Sequence, residues 1–211
     1  MLSVHGRKPA KVVVEPVAKA ALRVGLTPNV VTSVGAVCTI LAAVVLIPMG
    51  HLVAAVVLSG LFSAFDMIDG TMARLSGGGT RFGSTLDASC DRVTDGALFS
   101  AIIWWEVFVA GTGRATIAAT FVALVGSQVT SYVKARGEAS GFTMVGGLVE
   151  RPERLIIAYV GIGLAGFGVS GGFDVAMWLL AVGSVWTVIQ RLVMASRDPL
   201  AKELSAPPAG A

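Results

Sequence analysis

The chain consists of long uncharged apolar stretches separated by short clusters of charged residues. No Asp, Glu, Lys or Arg occurs from Val24 through Phe65, and residues 115–133 and 155–173 are equally free of charge. An α-helix needs roughly 20 apolar residues to cross about 30 Å of hydrocarbon, which matches the length of these segments. The runs are too long and continuous for the strands of a membrane barrel, the other structure that can cross lipid. The pattern therefore predicts an all-α, polytopic membrane protein.

Six transmembrane helices account for the apolar stretches. The run that begins at Val24 is too long for one span, and the segment Pro48-Met49-Gly50-His51 predicts a tight turn in its middle. The predicted spans cover residues 28–49, 52–75, 82–108, 115–133, 155–173 and 175–192. This layout divides the chain into an N-terminal segment at residues 1–24, a membrane domain at 25–196 and a disordered tail at 197–211.

Composition and charge exclude a soluble domain and orient the helices. The sequence is 55% hydrophobic and 14% charged, whereas a soluble domain averages about 25% charged residues and a disordered chain has few apolar ones. With six spans, every one of the 16 Lys and Arg residues except Arg114 falls on the side that holds both termini. By the positive-inside rule, we expect both termini in the cytoplasm, at the cell membrane. We expect no nucleic-acid partner.

The N-terminal segment predicts a helix that lies on the membrane surface. Charged residues recur there every three to four positions, at Lys8, Lys11, Glu15, Lys19 and Arg23. A basic helix face of this kind binds anionic lipid at the inner leaflet. We therefore expect an amphipathic interfacial helix, which Pro16 would kink or divide.

Four aspartates lie at the cytoplasmic ends of two consecutive spans. Asp66 and Asp69 come late in the second span, and Asp87 and Asp91 come early in the third, at an equivalent depth. The spacings i, i+3 and i, i+4 place each pair on one helical face. Because the connection is short, we expect the two helices to be antiparallel neighbours whose carboxylates share one pocket.

A pocket of four carboxylates predicts bound divalent cations. Buried charges in a membrane cost several kcal/mol unless they are paired or bound to metal. Hard oxygen ligands select Mg²⁺, Mn²⁺ or Ca²⁺, and four carboxylates can bridge two ions about 3.5–4 Å apart. Helix–helix salt bridges and a proton relay are the alternatives that the spacing leaves open. Asp95, one turn beyond Asp91, is expected to be a structural partner of Arg92.

The aspartates belong to a longer pattern that resembles the signature of the CDP-alcohol phosphotransferase family. The pattern reads D-x-x-D-G-x-x-A-R and, after eight intervening residues, G-x-x-x-D-x-x-x-D, formed by Asp66, Asp69, Gly70, Ala73, Arg74, Gly83, Asp87 and Asp91. The resemblance implies transfer of a phosphatidyl-type group from a CDP-linked donor to an alcohol, with release of CMP, by a homodimer. It implies that Mg²⁺ or Mn²⁺, as two ions, binds the four aspartates and that Asp91 is also the catalytic base.

The resemblance extends to a binding site for the donor, CDP-diacylglycerol. Thr27 is expected to cap the first span and Pro28 to occupy its first position, so that the free amides of this helix end face an anion. The family implies contacts with the donor from Asn29, Val30, Val31 and Thr32, and a simple helix cap is the alternative. Three residues near the aspartates are also expected to contact the donor: Gly70, Arg74 and Thr80.

A second basic cluster predicts a phosphorylated acceptor. The inner ends of spans four, five and six carry Lys134, Arg136, Arg154 and Arg191, which can converge beside the carboxylates. Guanidinium groups bind phosphate well, although inner-end cations also serve topology. The stretches 134–136 and 150–155 resemble actinobacterial family members whose acceptor is inositol 1-phosphate and whose product is phosphatidylinositol phosphate. Glycerol 3-phosphate is the second candidate acceptor, and an ion- or proton-coupled transporter is the non-enzyme alternative.

Overall fold

The computed structural model describes residues 7–63 and 65–203, with the side chains of residues 7–13 and of Asp66 left out. All regular secondary structure in these ranges is helical, as predicted. In chain order the α-helices are α1 Arg7–Arg23, α2 Pro28–Leu46, α3 Leu52–Ser63, α4 Phe65–Leu75, α5 Arg81–Trp105, α6 Arg114–Ala139, α7 Arg151–Gly166 and α8 Gly172–Arg197. A π-helical turn, Glu106–Ala110, extends α5, and a 3-10 turn, Pro199–Lys202, follows α8.

In the part of the chain that the structure describes, five segments are long and apolar enough to cross a membrane. They are Pro28–Leu46, Leu52–Leu75, Arg81–Ala110, Arg114–Ala139 and Gly172–Arg197. The predicted span at 155–173 differs from the structure, in which α7 begins at Arg151 and ends at Gly166. Gly168, directly after the C-cap Phe167, has a positive φ angle of 73°, and this left-handed backbone ends the helix. The described chain therefore has five segments that could cross a membrane, and α7 is not among them.

The C-terminal tail is ordered further than expected. We predicted disorder from residue 197, but α8 runs through Arg197 and the 3-10 turn follows it directly. Asp198 accounts for this order, because its Oδ1 accepts a hydrogen bond from the Leu200 amide at 3.0 Å and its Oδ2 accepts one from the Thr143 amide at 3.1 Å. Residues 204–211, which include Pro207-Pro208, lie outside the ranges that the structure describes.

Small residues allow the helices to pack closely. A Cβ added at Gly126 of α6 would lie 2.7 Å from the Ser184 Cβ of α8, and one at Gly161 of α7 would lie 2.6 Å from the Ala176 Cβ. Neighbouring helices in lipid gain little from hydrophobic burial, so close van der Waals contact at small residues holds them together. The buried core of this bundle includes Leu98, Phe99, Ile102, Met177 and Leu180.

Helix α2 positions the two helices that carry the aspartates. It packs against both α4 and α5, whereas α4 and α5 make at most marginal contact with each other in the described part of the chain. A Cβ at Gly35 of α2 would lie only 2.8 Å from the Phe65 Cβ of α4, so glycine is needed for this approach. The expectation that the two aspartate helices are direct neighbours is therefore wrong, because α2 packs against both of them.

The N-terminal helix packs on the protein. Ala18 of α1 is fully buried in a small cluster with Val31 and Met72, and α1 lies against α4. Its Lys19 forms a salt bridge with Glu15 at 2.7 Å, while the Lys8 and Lys11 side chains lie outside the described set. A helix is present at Arg7–Arg23, and its amphipathic character and its location at the lipid surface stay predictions.

Two glycines of α7 test the close packing of this bundle. We expect Gly161→Ala to destabilise the protein by about 1–3 kcal/mol, because the new methyl group would overlap Ala176. Gly163→Ala is the matched control, since nothing lies within 4 Å of its Cβ position and alanine favours a helix by up to about 1 kcal/mol. The melting temperature of each purified variant in detergent measures the difference. Equal melting temperatures would contradict the packing described for α7 and α8.

Candidate active site

The first aspartate of the site with a described side chain is Asp69 of α4. This side chain is 6% exposed, and its Oδ2 accepts a short hydrogen bond from the Thr32 hydroxyl of α2. Thr32 is itself buried, and its hydroxyl also lies 3.0 Å from the Pro28 carbonyl oxygen in the same helix. The first turn of α2 therefore holds the carboxylate of α4, and Thr32 contacts the predicted metal site as well as belonging to the predicted donor site.

The N-terminal ends of α2 and α5 meet at Gly83. Thr27 caps α2, as predicted, and Thr80 caps α5 by accepting a hydrogen bond from the Gly83 amide at 2.9 Å. A Cβ at Gly83 would lie 2.9 Å from Asn29 Oδ1 and 3.1 Å from Thr80 Oγ1, so a larger residue there would displace the Asn29 side chain. Helix N-terminal ends carry free amides and a positive dipole end, which favour an anion. The structure thus brings the predicted donor residues Asn29 and Thr80 together.

The other predicted donor residues lie along α2 and α4. Val30 is 46% exposed, whereas Val31 is buried in the cluster that joins α1 to α4. Arg74 is exposed, and its Nη2 donates to the Thr71 hydroxyl at 2.8 Å. Its Nη1 lies 3.7 Å from the Cβ position of Gly70, so a side chain there would contact the guanidinium.

Asp91 of α5 forms an ion pair with an arginine of α7. Its Oδ1 lies 2.9 Å from Arg151 Nη1, and its Oδ2 lies 3.7 Å from Arg92 Nη2. Asp87 is exposed, one turn earlier on the same face. We did not predict Arg151 as a site residue, because the 60 positions between it and Asp91 leave no periodic signal in the sequence.

The carboxylates have the chemistry that a divalent cation requires. Asp69, Asp87 and Asp91 offer hard oxygen donors of the kind that Mg²⁺ and Mn²⁺ prefer. Within residues 7–63 and 65–203, no three His, Cys, Asp or Glu side chains form a group that could hold a metal ion, and that search does not include the Asp66 side chain. The donor set therefore fits in its chemistry, and the four-ligand geometry stays a prediction.

Asp95 is the centre of a buried ionic network between α5 and α7. The side chain is 2% exposed, and its Oδ2 accepts a hydrogen bond from Arg154 Nη2 at 3.1 Å. Its Oδ1 lies 3.3 Å from Arg151 Nε. The expected contact with Arg92 is present at 3.6 Å, but it is the longest of the three. Asp95 therefore binds mainly the arginines of α7.

Two of the four residues predicted to bind acceptor phosphate are buried. Arg154 is 2% exposed, and its buried Nε has no hydrogen-bond partner among the described residues. Arg191 is 4% exposed, and its guanidinium donates to Thr130 O at 2.8 Å, to Glu150 Oε1 at 3.2 Å and to Gly146 O at 3.3 Å. Arg191 thus also ties the connection between α6 and α7 to α8.

The other two predicted acceptor residues lie near the C-terminal end of α6. Lys134 is half-exposed, 3.9 Å from Glu138, and Arg136 is exposed. No described contact joins either residue to Arg154 or Arg191, and the convergence of all four cations on one phosphate stays a prediction.

Comparison with known proteins identifies the family. The sequence model of the CDP-alcohol phosphatidyltransferase family matches residues 25–189. A relative from Corynebacterium glutamicum named phosphatidylinositol phosphate synthase is 64% identical over 211 residues, covering 100% of this chain and 96% of the relative. A Mycobacteroides abscessus relative of the same name is 50% identical over 193 residues, covering 91% of this chain and 87% of the relative.

Solved structures share the fold. A crystal structure of Mycobacterium tuberculosis phosphatidylinositol phosphate synthase with CDP-DAG bound superposes with a TM-score of 0.87 at 48% identity, covering 92% of this chain and 98% of that one. A second structure of that protein, in complex with manganese and citrate, has a TM-score of 0.86 at 48% identity and covers 92% of this chain and 93% of that one. The chain belongs to the CDP-alcohol phosphatidyltransferase family, as its aspartate signature predicted.

Removing the Thr32 hydroxyl tests the contact between α2 and Asp69. We expect Thr32→Val to lower CMP release roughly 10- to 100-fold and to raise the metal concentration needed for half-maximal rate, because a hydrogen bond to a charged group contributes about 1.5–3 kcal/mol. Thr39→Val is the control, since that buried hydroxyl donates only to the Gly35 carbonyl of its own helix at 2.8 Å. Equal rates for the two variants would show that the Asp69 contact has no catalytic consequence.

Proposed function

We propose that the protein transfers the phosphatidyl group of CDP-diacylglycerol to 1D-myo-inositol 3-phosphate, which is the same compound as 1L-myo-inositol 1-phosphate. The products are CMP and phosphatidylinositol phosphate, in phospholipid biosynthesis. One observation carries this proposal: the last signature carboxylate, Asp91, lies within an ionic network that reaches the buried guanidinium of Arg154. A base beside a phosphate-binding cation suits an acceptor that carries both a hydroxyl group and a phosphate. The names of the relatives support the same reading.

The donor would bind across the N-terminal ends of α2 and α5. Asn29 and Thr80 lie at their junction, and Val30, Val31 and Thr32 continue along α2. The free amides of both helix ends and the Arg74 guanidinium offer positive charge to the diphosphate. Gly70 leaves room for the donor beside the Arg74 guanidinium, and Gly83 leaves room for Asn29 and Thr80. The CDP-DAG complex of the Mycobacterium tuberculosis relative supports this choice of donor.

The carboxylates of Asp66, Asp69, Asp87 and Asp91 would hold the divalent cations, which we propose to be two Mg²⁺ or Mn²⁺ ions. When bound, such ions neutralise the diphosphate and stabilise the charge that develops on it. The hydrogen bond from Thr32 orients Asp69 for this role. The manganese complex of the relative supports the use of a divalent metal.

The acceptor reacts beside Asp91. The Asp91 carboxylate takes the proton of the acceptor's attacking hydroxyl group. The oxygen of that hydroxyl group forms a new bond to the phosphorus of the phosphatidyl group. The bond from that phosphorus to the bridging oxygen breaks, and CMP leaves with the electron pair. Arg154 and Arg191 would bind the acceptor phosphate, with Lys134 and Arg136 at the entrance. The buried Nε of Arg154, which has no partner in the described structure, is a donor suited to that phosphate.

The site would face the cytoplasm. We propose six spans, with α7 as the fifth, so that both termini lie on the cytoplasmic side. The 16 residues of α7 rise about 24 Å, and the chain that flanks it would complete the crossing. The basic residues at the inner helix ends support this orientation. Helix α1 would lie on the inner leaflet, in contact with membrane lipid, and the protein would act as a homodimer.

An acceptor panel tests the reaction. Purified protein receives CDP-diacylglycerol, Mg²⁺ or Mn²⁺ and one acceptor at a time: inositol phosphate, glycerol 3-phosphate or unphosphorylated inositol. We expect CMP release to be fastest with inositol phosphate, because the buried arginines require an anionic acceptor, and to stop when a chelator removes the metal.

The outcomes of the panel separate the alternatives. Faster release with glycerol 3-phosphate would replace the acceptor and leave the enzyme class intact. No CMP with any acceptor would reject the proposed reaction. Ion or proton flux across sealed vesicles by such an inactive protein would favour the transporter alternative.

Asp91→Asn tests the base. We expect turnover to fall roughly 10²- to 10⁴-fold while the protein still folds and inserts, because the amide cannot accept the hydroxyl proton. Asp174→Asn is the control, because Asp174 lies in the first turn of α8, at the end opposite Arg191. There it accepts a hydrogen bond from Thr116 at 2.6 Å. CMP release by Asp91→Asn at the rate of the control would remove Asp91 from this role.

A further inference from the structure

We propose that Asp95 is a positioning residue: one buried carboxylate holds Arg154 for the acceptor phosphate and holds Arg151 against Asp91. This inference rests on the proposed function, in which Arg154 binds the acceptor and Asp91 is the base. Asp95 lies outside the family signature, and it would act on the reaction only through its two arginine partners.

Both oxygens of Asp95 are committed to α7. Oδ2 accepts from Arg154 Nη2 at 3.1 Å, and Oδ1 lies 3.3 Å from Arg151 Nε. The carboxylate is 2% exposed and its helix neighbour Arg92 is 3.6 Å away, so water competes little for these contacts. Because a carboxylate with two engaged oxygens has little freedom to rotate, it determines where both guanidinium groups point.

Arg151 transmits the position of Asp95 to the base. Its Nε contacts Asp95 while Nη1 of the same planar group lies 2.9 Å from Asp91 Oδ1. A guanidinium is rigid, so anchoring one edge fixes the direction in which the other edge meets Asp91. Asp91 and Asp95 are one helical turn apart, and a single arginine bridges them. The acceptor-binding arginine and the base therefore share one anchor.

An electrostatic role and a positioning role of Asp95 predict opposite changes in acceptor KM for Asp95→Asn. The measured change therefore separates the two roles. The substitution removes a negative charge from a group of three arginines, so a purely electrostatic role would let the anionic acceptor bind more tightly and lower its KM. A positioning role predicts a higher KM, because Arg154 loses the contact that directs it toward the phosphate. The direction of the change in acceptor KM is thus the measurement that decides between an electrostatic role and a positioning role.

The experiment measures CMP release by the full-length enzyme with varied donor and varied phosphorylated acceptor. For Asp95→Asn we expect acceptor KM to rise roughly 10- to 100-fold and kcat to fall, because small displacements of positioning groups have effects of this size. Donor KM should stay within about 2-fold, since the donor contacts lie on α2, on α4 and at the N-terminal end of α5, about 22 Å along the helix from Asp95. Asp174→Asn, about 25 Å from Arg191 along α8, should leave all three constants unchanged. A lower or unchanged acceptor KM would overturn the proposal.

A double-mutant cycle tests whether Asp95 acts through Arg154. In an Arg154→Ala background, adding Asp95→Asn should raise acceptor KM by less than about 3-fold, because the group that Asp95 positions is already absent. If the rise in acceptor KM of the double variant equalled the product of the rises in the two single variants, the proposal would be overturned. If Asp95→Asn is not recovered in folded form, Asp95→Glu replaces it, because this variant keeps the charge and displaces the carboxylate by one methylene. An unchanged acceptor KM for Asp95→Glu would equally overturn it.

Failure of the inference and failure of the proposed function give different results. A wild-type enzyme that releases no CMP with any phosphorylated acceptor refutes the function. A wild-type enzyme that is active, with an Asp95→Asn variant that raises donor and acceptor KM equally, refutes only the positioning role.

Discussion

The ion pairs between α5 and α7 are the interaction on which the aspartate-bearing end of the helix bundle depends. A charged side chain inside a membrane helix is costly unless a partner neutralises it, and Asp95 with Arg154 forms such a pair at 3.1 Å with both side chains almost fully buried. This pair connects two helices that are distant in sequence. The same contacts bring Arg151 to Asp91, so the constraint that stabilises the helix pair also assembles the site.

Close helix packing is the second condition for the site. Helix α2 approaches α4 at Gly35, where a methyl group would collide with the Phe65 Cβ, and it meets the start of α5 at Gly83, where a methyl group would displace the Asn29 side chain. These contacts place Thr32 against Asp69 and Asn29 beside Thr80. The two aspartate helices therefore need no direct contact, because α2 serves as the common surface on which both are oriented. Small residues are thus as necessary to the site as the charged ones.

Sequence patterns predicted the helices well and their ends less well. The apolar runs predicted the helical class, and Thr27 was recognised as a cap because its neighbour Pro28 suits a first helical position. The end of α7 was missed, since hydropathy continues unchanged past Gly166 while the backbone turns at Gly168. The ordered turn after α8 was missed because it depends on a hydrogen bond between Asp198 and Thr143, which are far apart in the chain.

The sequence alone determined the membrane class, the aspartate signature and the family, because each depends on local composition or on short, regular spacing within one or two helices. Only the tertiary structure decided which basic side chains form ion pairs with which carboxylates. Two of these ion pairs, Arg151 with Asp91 and Arg154 with Asp95, join residues more than 50 positions apart. By contrast, Lys134 and Arg136 lie near the C-terminal end of α6. Such pairings leave no periodic trace in the chain, since they follow from how helices pack and from the need to neutralise each buried charge.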